Sequence, residues 1–428
     1  MSKSKRAIEW VKTALIVLLT VSALLLAWRT GLFSDYLASV TIFGSFAELV
    51  RGTSGSTEPS GAAIKEAARP MTIVVTNEDG GRLGVRYDTD ERDAVYEMTS
   101  SILGEALGSA STPVEINEEE WRLALSGAGV YFEYITPVRL SFLDGWLDAV
   151  LPEAVKDVAL RRIFIAFGDD RSKLYYQDHE NGRFYGADTA SAAGKAQGLE
   201  IFSTNGALFA YETGISGSTQ APYMLLMPGN EHPDVKSASV GSSEQLLELV
   251  LPVFGHRNES TTTYQSDGAL VCFGTQFNVR VYADGRVVYR RTDIDGLQSE
   301  EEAAISDGEI IEQARAIAAD SIGRACGSAN AAFEAFESEG DTASVFFAYH
   351  IAGGRVCLSE ETYAARVSFT SGMVTEAEMN FRNFAFTDEY TRLLPEKQAL
   401  AAAGGEFILC YSDTGTDILR PDWVKYGG

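Results

Sequence analysis

A chain of 428 residues with 35 basic and 60 acidic side chains carries a formal charge of −25. That balance argues against a nucleic-acid partner and against lying flat on an anionic membrane, because both would meet like charge. With 45% hydrophobic residues the chain has material for two to three folded domains and is not disordered overall.

In chain order, a basic leader (Lys3, Lys5, Arg6, Lys12) precedes an uncharged run from Thr13 to Trp28. Extended to Trp10 and Thr30, with a tryptophan near each end, the run reaches the length of about 20 residues that a membrane-spanning helix needs. No small residues stand at the −3 and −1 positions of a cleavage site after it, so it reads as a retained anchor and not a cleaved signal. The basic leader places the N-terminus in the cytoplasm and the bulk of the chain outside the cell membrane. Thr13, Thr20, Ala23 and Ala27 fall along one face of this helix, and small faces let membrane helices approach closely. They are the candidate partner-binding residues. Residues 31–69 follow as a juxtamembrane segment and tether, with "RGTSGSTEPSGAA" as its flexible part.

Residues 70–155 read as a first α+β domain. A hairpin turns at Asp79-Gly80-Gly81, and a helix carries Val95, Met98, Ile102 and Leu103 on one face. A second helix is capped by Asn117 and buries Trp121 and Leu125. A third turns Phe142, Trp146 and Val150 inward. Residues 156–265 read as a strand-rich middle domain, with "ALFAYETG" and "PYMLLMP" among its strands and a helix stopped by Gly255. Residues 266–428 read as a C-terminal α+β domain. It holds a hairpin about Asp284-Gly285, a helix burying Ile310, Ala314, Ile317 and Ile322, and further antiparallel strands. The fold class is α+β, with mainly antiparallel sheets and packed helices.

The search for chemistry returns little. His179, His232, His256 and His350 have no metal-ligand spacing, and no HExxH exists. "GISGS" is not a nucleophile elbow, and no glycine-rich loop precedes a helix. No catalytic residue, cofactor or metal is expected, and the chain reads as a non-enzyme. Cys272, Cys326, Cys357 and Cys410 allow two disulfides in three connectivities, or buried free thiols. The aromatic residues read as core, with a ligand cleft in the middle region as the alternative.

The leader "EWVKTALIVLLTVSALLLAWRTG", the tether, "AGVYFEYITPVRLSFL" and the closing "LRPDWVKY" together resemble the YycH family, accessory proteins of the WalK/WalR two-component system of Gram-positive bacteria. The C-terminal region also resembles the related YycI protein. The resemblance implies an extracytoplasmic protein on one N-terminal helix that modulates a WalK-like sensor histidine kinase, in company with a sister YycI-like protein. It implies contacts largely between membrane helices and an influence on cell-wall turnover. It supplies no catalytic residues. The competing expectation is an anchored ligand- or substrate-binding module with an aromatic cleft.

Overall fold

The computed structural model describes residues 69–426, except 87–88, 148–149, 152–155, 157, 169, 191–196, 257–260, 294–304, 359–362 and 413–416. The expected anchor, with Thr13, Thr20, Ala23 and Ala27, and the tether up to residue 68 lie outside the described residues. Among the described residues, no helix is long and apolar enough to cross a membrane.

Two sheets organise the chain. The first has seven strands: β1 (Thr72–Thr76), β2 (Arg82–Val85), β3 (Val114–Ile116), β4 (Gly129–Arg139), β5 (Ala159–Ala166), β6 (Ser172–Asp178) and β7 (Phe184–Thr189), in the order β2-β1-β4-β5-β6-β7-β3. Every pairing is antiparallel. The turn between β1 and β2 uses Gly80 at φ 80°, where a side chain would be strained.

Both faces of this sheet are covered, which is why β1 reads as an unbroken apolar run and not an alternating one. One face carries the row Ile73, Phe132, Ile163 and Tyr176. Helix α1 (Thr89–Gly108) packs on this sheet and buries Val95, Thr99, Ile102, Leu103 and Ala106. Met98, expected on that face, is 37% exposed. Thr99 holds the buried position instead, its hydroxyl donating to the Val95 carbonyl at 2.9 Å. The opposite row, Val74, Tyr131, Phe164 and Tyr175, joins Trp121 and Leu125 of α2 (Glu118–Leu125) in one core. The Asn117 side chain caps α2 by accepting from the Glu120 amide at 2.8 Å. Helix α3 (Leu140–Leu147) buries Phe142, but it ends before Val150, which is 85% exposed. The expected inward face ran past the helix.

The segments "ALFAYETG" and "PYMLLMP" form two two-residue strands, β8 (Leu208–Phe209) and β9 (Leu225–Leu226), with a 3-10 turn at Ala210–Glu212. Successive residues serve opposite cores. Phe209, Tyr223 and Leu225 pack into the core of the first sheet, while Ala210, Met224 and Leu226 pack with Leu400 and Phe407 of the second.

The second sheet holds thirteen strands: β10 (Glu231–Ala238), β11 (Thr262–Ser266), β12 (Ala269–Phe273), β13 (Phe277–Tyr282), β14 (Arg286–Arg291), β15 (Asn330–Glu339), β16 (Thr342–Ile351), β17 (Gly354–Cys357), β18 (Ala365–Thr370), β19 (Met373–Asn380), β20 (Asn383–Arg392), β21 (Phe407–Ser412) and β22 (Ile418–Lys425). Its order is β11-β12-β13-β14-β19-β18-β16-β17-β21-β22-β10-β20, with β15 also on β16. One pairing, β17 with β21, is parallel. Helix α4 (Ser243–Val253) precedes β11. Helix α5 (Asp307–Ala318) begins in a capping box of Ser306 and Glu309 and packs on β15, β16 and β18. A π-helical turn, Ala319–Gly323, follows it. Helix α6 (Glu396–Ala403) ends at Gly404 with φ 65°.

The expected α+β class with mostly antiparallel sheets is what the chain adopts. Strand pairing cuts across the boundaries read from the sequence at 155/156 and 265/266. β4 pairs with β5 over the first, and β10 joins the C-terminal strands over the second. Both sheets lie in one compact unit. Buried charges tie them: Arg86 after β2 meets Glu396 of α6 at 2.6 Å, and Arg161 and Arg162 of β5 share Glu406 before β21.

The cysteines follow neither simple expectation. Cys357 and Cys410 form a disulfide across β17 and β21, with Cα atoms 6.3 Å apart, while Cys272 and Cys326 are buried free thiols.

Candidate ligand cleft

A cleft of about 840 Å³ opens where the end of β2, the start of α1, the β9–β10 connection, β10 and β20 converge. Its polar lining comes from Arg86, Glu91, Asp93, Glu231 and His232, and Phe386 and Tyr390 of β20 supply an aromatic side. The size is that of a small-molecule site.

Each group is placed by a local cause. Arg86 follows β2 and is held by Glu396, whose second carboxylate oxygen accepts from the Met227 amide at 2.8 Å. His232 lies on β10, edge-on to the Trp423 ring at 5.6 Å. Burial, and then the Arg86 charge, push its imidazole down to about 4, so it is neutral near pH 7. A general base works best with a pKa near the operating pH, and this histidine is far from it. β20 forms an end of the sheet, and Phe386 and Tyr390 on it are 51% and 66% exposed. Exposed aromatic groups on an edge strand are suited to contact with another molecule.

Cys326 and His350 are also shifted away from neutral pH. Burial pushes the Cys326 thiol up to about 11, and its Sγ donates to the Ala329 carbonyl at 2.8 Å. His350 on β16 is buried, and burial, then Arg355 and Arg92, push it down to about 3. No group of three or more potential metal ligands occurs among the described residues.

No family model matches the chain, and no curated protein matches it in sequence. A solved structure does match in shape: the crystal structure of YycH from Bacillus subtilis, with a TM-score of 0.52 at 12% identity, over 84% of this chain and 94% of that one. The fold is YycH-like. At that identity the likeness speaks for architecture alone.

The YycH-like architecture contains two of the stretches that carried the sequence resemblance, "GVYFEYITPVR" as the interior strand β4 and "ILRPDWVK" as β22, while the leader and tether lie outside the described residues. The aromatic residues expected either in the core or in a cleft do both. Trp121, Phe184, Tyr211 and Tyr223 pack together in the first core, Trp121 stacked on Phe184 and edge-on to Tyr223, while the cleft takes its aromatics from β20, outside the middle region where a cleft was expected. Sequence reasoning passed over Arg86, His232, Phe386 and Tyr390. Phe384 and Phe386 share one face of β20, yet the first is buried and the second 51% exposed, so strand periodicity gave no signal for the cleft.

Proposed function

We propose that this protein is a non-enzymatic, membrane-anchored accessory regulator of a WalK-like sensor histidine kinase, acting outside the cytoplasmic membrane together with a YycI-like partner. The observation that carries the reading is the YycH-like fold over 84% of the chain. Supporting it are the apolar run Thr13–Trp28 with its small face, and histidines and a thiol whose pKa values are set by burial away from catalytic use. The one disulfide suits an oxidising compartment.

In this reading the span, with Thr13, Thr20, Ala23 and Ala27, packs against the kinase's membrane helices, and the acidic ectodomain sets its position. The test is to exchange residues 13–28 for an unrelated apolar span of the same length and to measure kinase phosphorylation in cells. Loss of the regulatory effect with normal membrane levels is the expected result. Full regulation by the exchanged protein would remove the helix-contact mechanism. The cleft of about 840 Å³ with its aromatic side favours one further reading, an ectodomain that binds a ligand.

A further inference from the structure

A second cavity, of about 350 Å³, lies beside the cleft and shares Asn330 with it. Arg69, Arg92 and Arg315 line it, and no carboxylate is among its described lining residues. The charge there is unbalanced. Arg315 is neutralised by Glu312 at 2.8 Å. Arg69 and Arg92, however, share one carboxylate, that of Asp93, at 2.7 and 3.0 Å. Two guanidinium groups on one acid leave a positive charge beside the cavity.

The same walls hold polar atoms that no described residue satisfies. Tyr134 is 4% exposed and His350 is 7% exposed. Neither the Tyr134 hydroxyl nor either ring nitrogen of His350 has a hydrogen-bond partner among the described residues, and the same is true of Arg69 Nε. Burying a polar group without a partner is costly, so two nearly inaccessible side chains in this condition, Tyr134 and His350, around one cavity call for an occupant. The π-helical turn Ala319–Gly323 places Ala319 and Gly323 in the wall, a distortion that often marks functional positions.

We propose that this cavity binds a small organic anion, with its carboxylate or phosphate against Arg69 and Arg92 and its remaining polar atoms on Tyr134 and His350. The forked guanidinium groups match the geometry of either acid. A neutral imidazole donates from one nitrogen and accepts at the other, and the phenol donates, so the occupant carries a hydroxyl or carbonyl besides its acid. The inference stands on the cavity and goes beyond the regulatory reading.

The test uses the full chain in detergent micelles, with succinate, citrate and inorganic phosphate as probes and sodium chloride at matched ionic strength as control. Calorimetry is expected to give a dissociation constant below about 1 mM for at least one probe. Arg92→Gln and Tyr134→Phe are each expected to weaken it tenfold or more. Tyr134→Phe removes a hydroxyl that has no partner, so the ligand-free variant unfolds at the same or a higher temperature, which separates a binding role from a structural one. No heat beyond that of chloride for all three probes, or wild-type affinity in either variant, overturns the proposal. The measurement contains no kinase, so its failure and the failure of the span exchange are read independently.

Discussion

Glu396 is the residue whose replacement tests the packing of the two sheets most directly. Its side chain is fully buried, one oxygen on Arg86 at 2.6 Å and the other accepting from the Met227 amide at 2.8 Å. Glu396→Gln keeps an acceptor for Met227 and nearly the same volume. It removes the charge that faces Arg86, whose own side chain is only 10% exposed. Removing one partner of a buried pair costs up to about 3–5 kcal/mol, because the remaining charge loses its closest counter-charge. For a unit of about 360 residues, an unfolding entropy of about 2.1 cal/mol/K per residue gives ~0.75 kcal/mol/K, so the melting temperature should fall by up to about 4–7 °C. Arg86→Met made in the Glu396→Gln background should recover most of that loss, since no charge then remains buried. Thermal unfolding of the four proteins forms a double-mutant cycle, with an expected coupling of about 2 kcal/mol or more. A cost below about 1 kcal/mol for Glu396→Gln, or simple addition of the two substitutions, would refute the reasoning.

The disulfide closes a separation of 53 residues, for which chain entropy gives about 4 kcal/mol; reduction should lower the melting temperature by several degrees, and thiol titration of the unreduced, denatured protein should find Cys272 and Cys326 alone. His350, pushed down to about 3, is neutral in the folded state, while in the unfolded chain it titrates near 6.5. The unfolded state therefore binds more protons between those values, and stability should fall as pH drops through 6.5, by about 2 kcal/mol at pH 5, with the loss complete near pH 3. His232, pushed down to about 4, titrates over the same range, so His350→Phe should remove about half of the slope between pH 6.5 and 5, and an unchanged profile would show that His350 is not a source of it. Gly285→Ala should destabilise the β13–β14 hairpin by about 1–2 kcal/mol, because φ is 89° and a Cβ would stand 2.7 Å from the Phe381 carbonyl oxygen; urea unfolding measures it.

What the sequence reveals here is what short-range physics decides. The Asp79-Gly80-Gly81 and Asp284-Gly285 turns, the Asn117 cap and the Trp121/Leu125 pair are each fixed by neighbours within a few residues, and each is found in place. Long-range pairing leaves no such trace. β10 pairs with β20, about 150 residues away, and neither strand was read from the sequence. The same holds for the cysteines. Four of them suggest two bridges, yet only the parallel register of β17 on β21, with Arg355 opposite Cys410, brings one pair within reach. Both cavities are assembled from distant elements, so their arginines look like ordinary surface charge in one dimension.

Arg69 gives the proposed ligand a covalent path to the proposed anchor. It stands just before β1, a strand flanked on both sides in the first sheet, and it is where the segment read as a tether meets the folded unit. Its link to Asp93 is a half-exposed ion pair, a class worth about 0–1 kcal/mol. An anion making charge-assisted hydrogen bonds of about 1.5–3 kcal/mol each can outcompete it. The ligand can shift the position of Arg69 only by the difference between these terms, about 0.5–3 kcal/mol, or roughly 2- to 150-fold. A full reversal from 1:99 to 99:1 needs about 5.5 kcal/mol. On the proposed reading, a signal entering through this cavity would adjust the partner kinase and not turn it on or off.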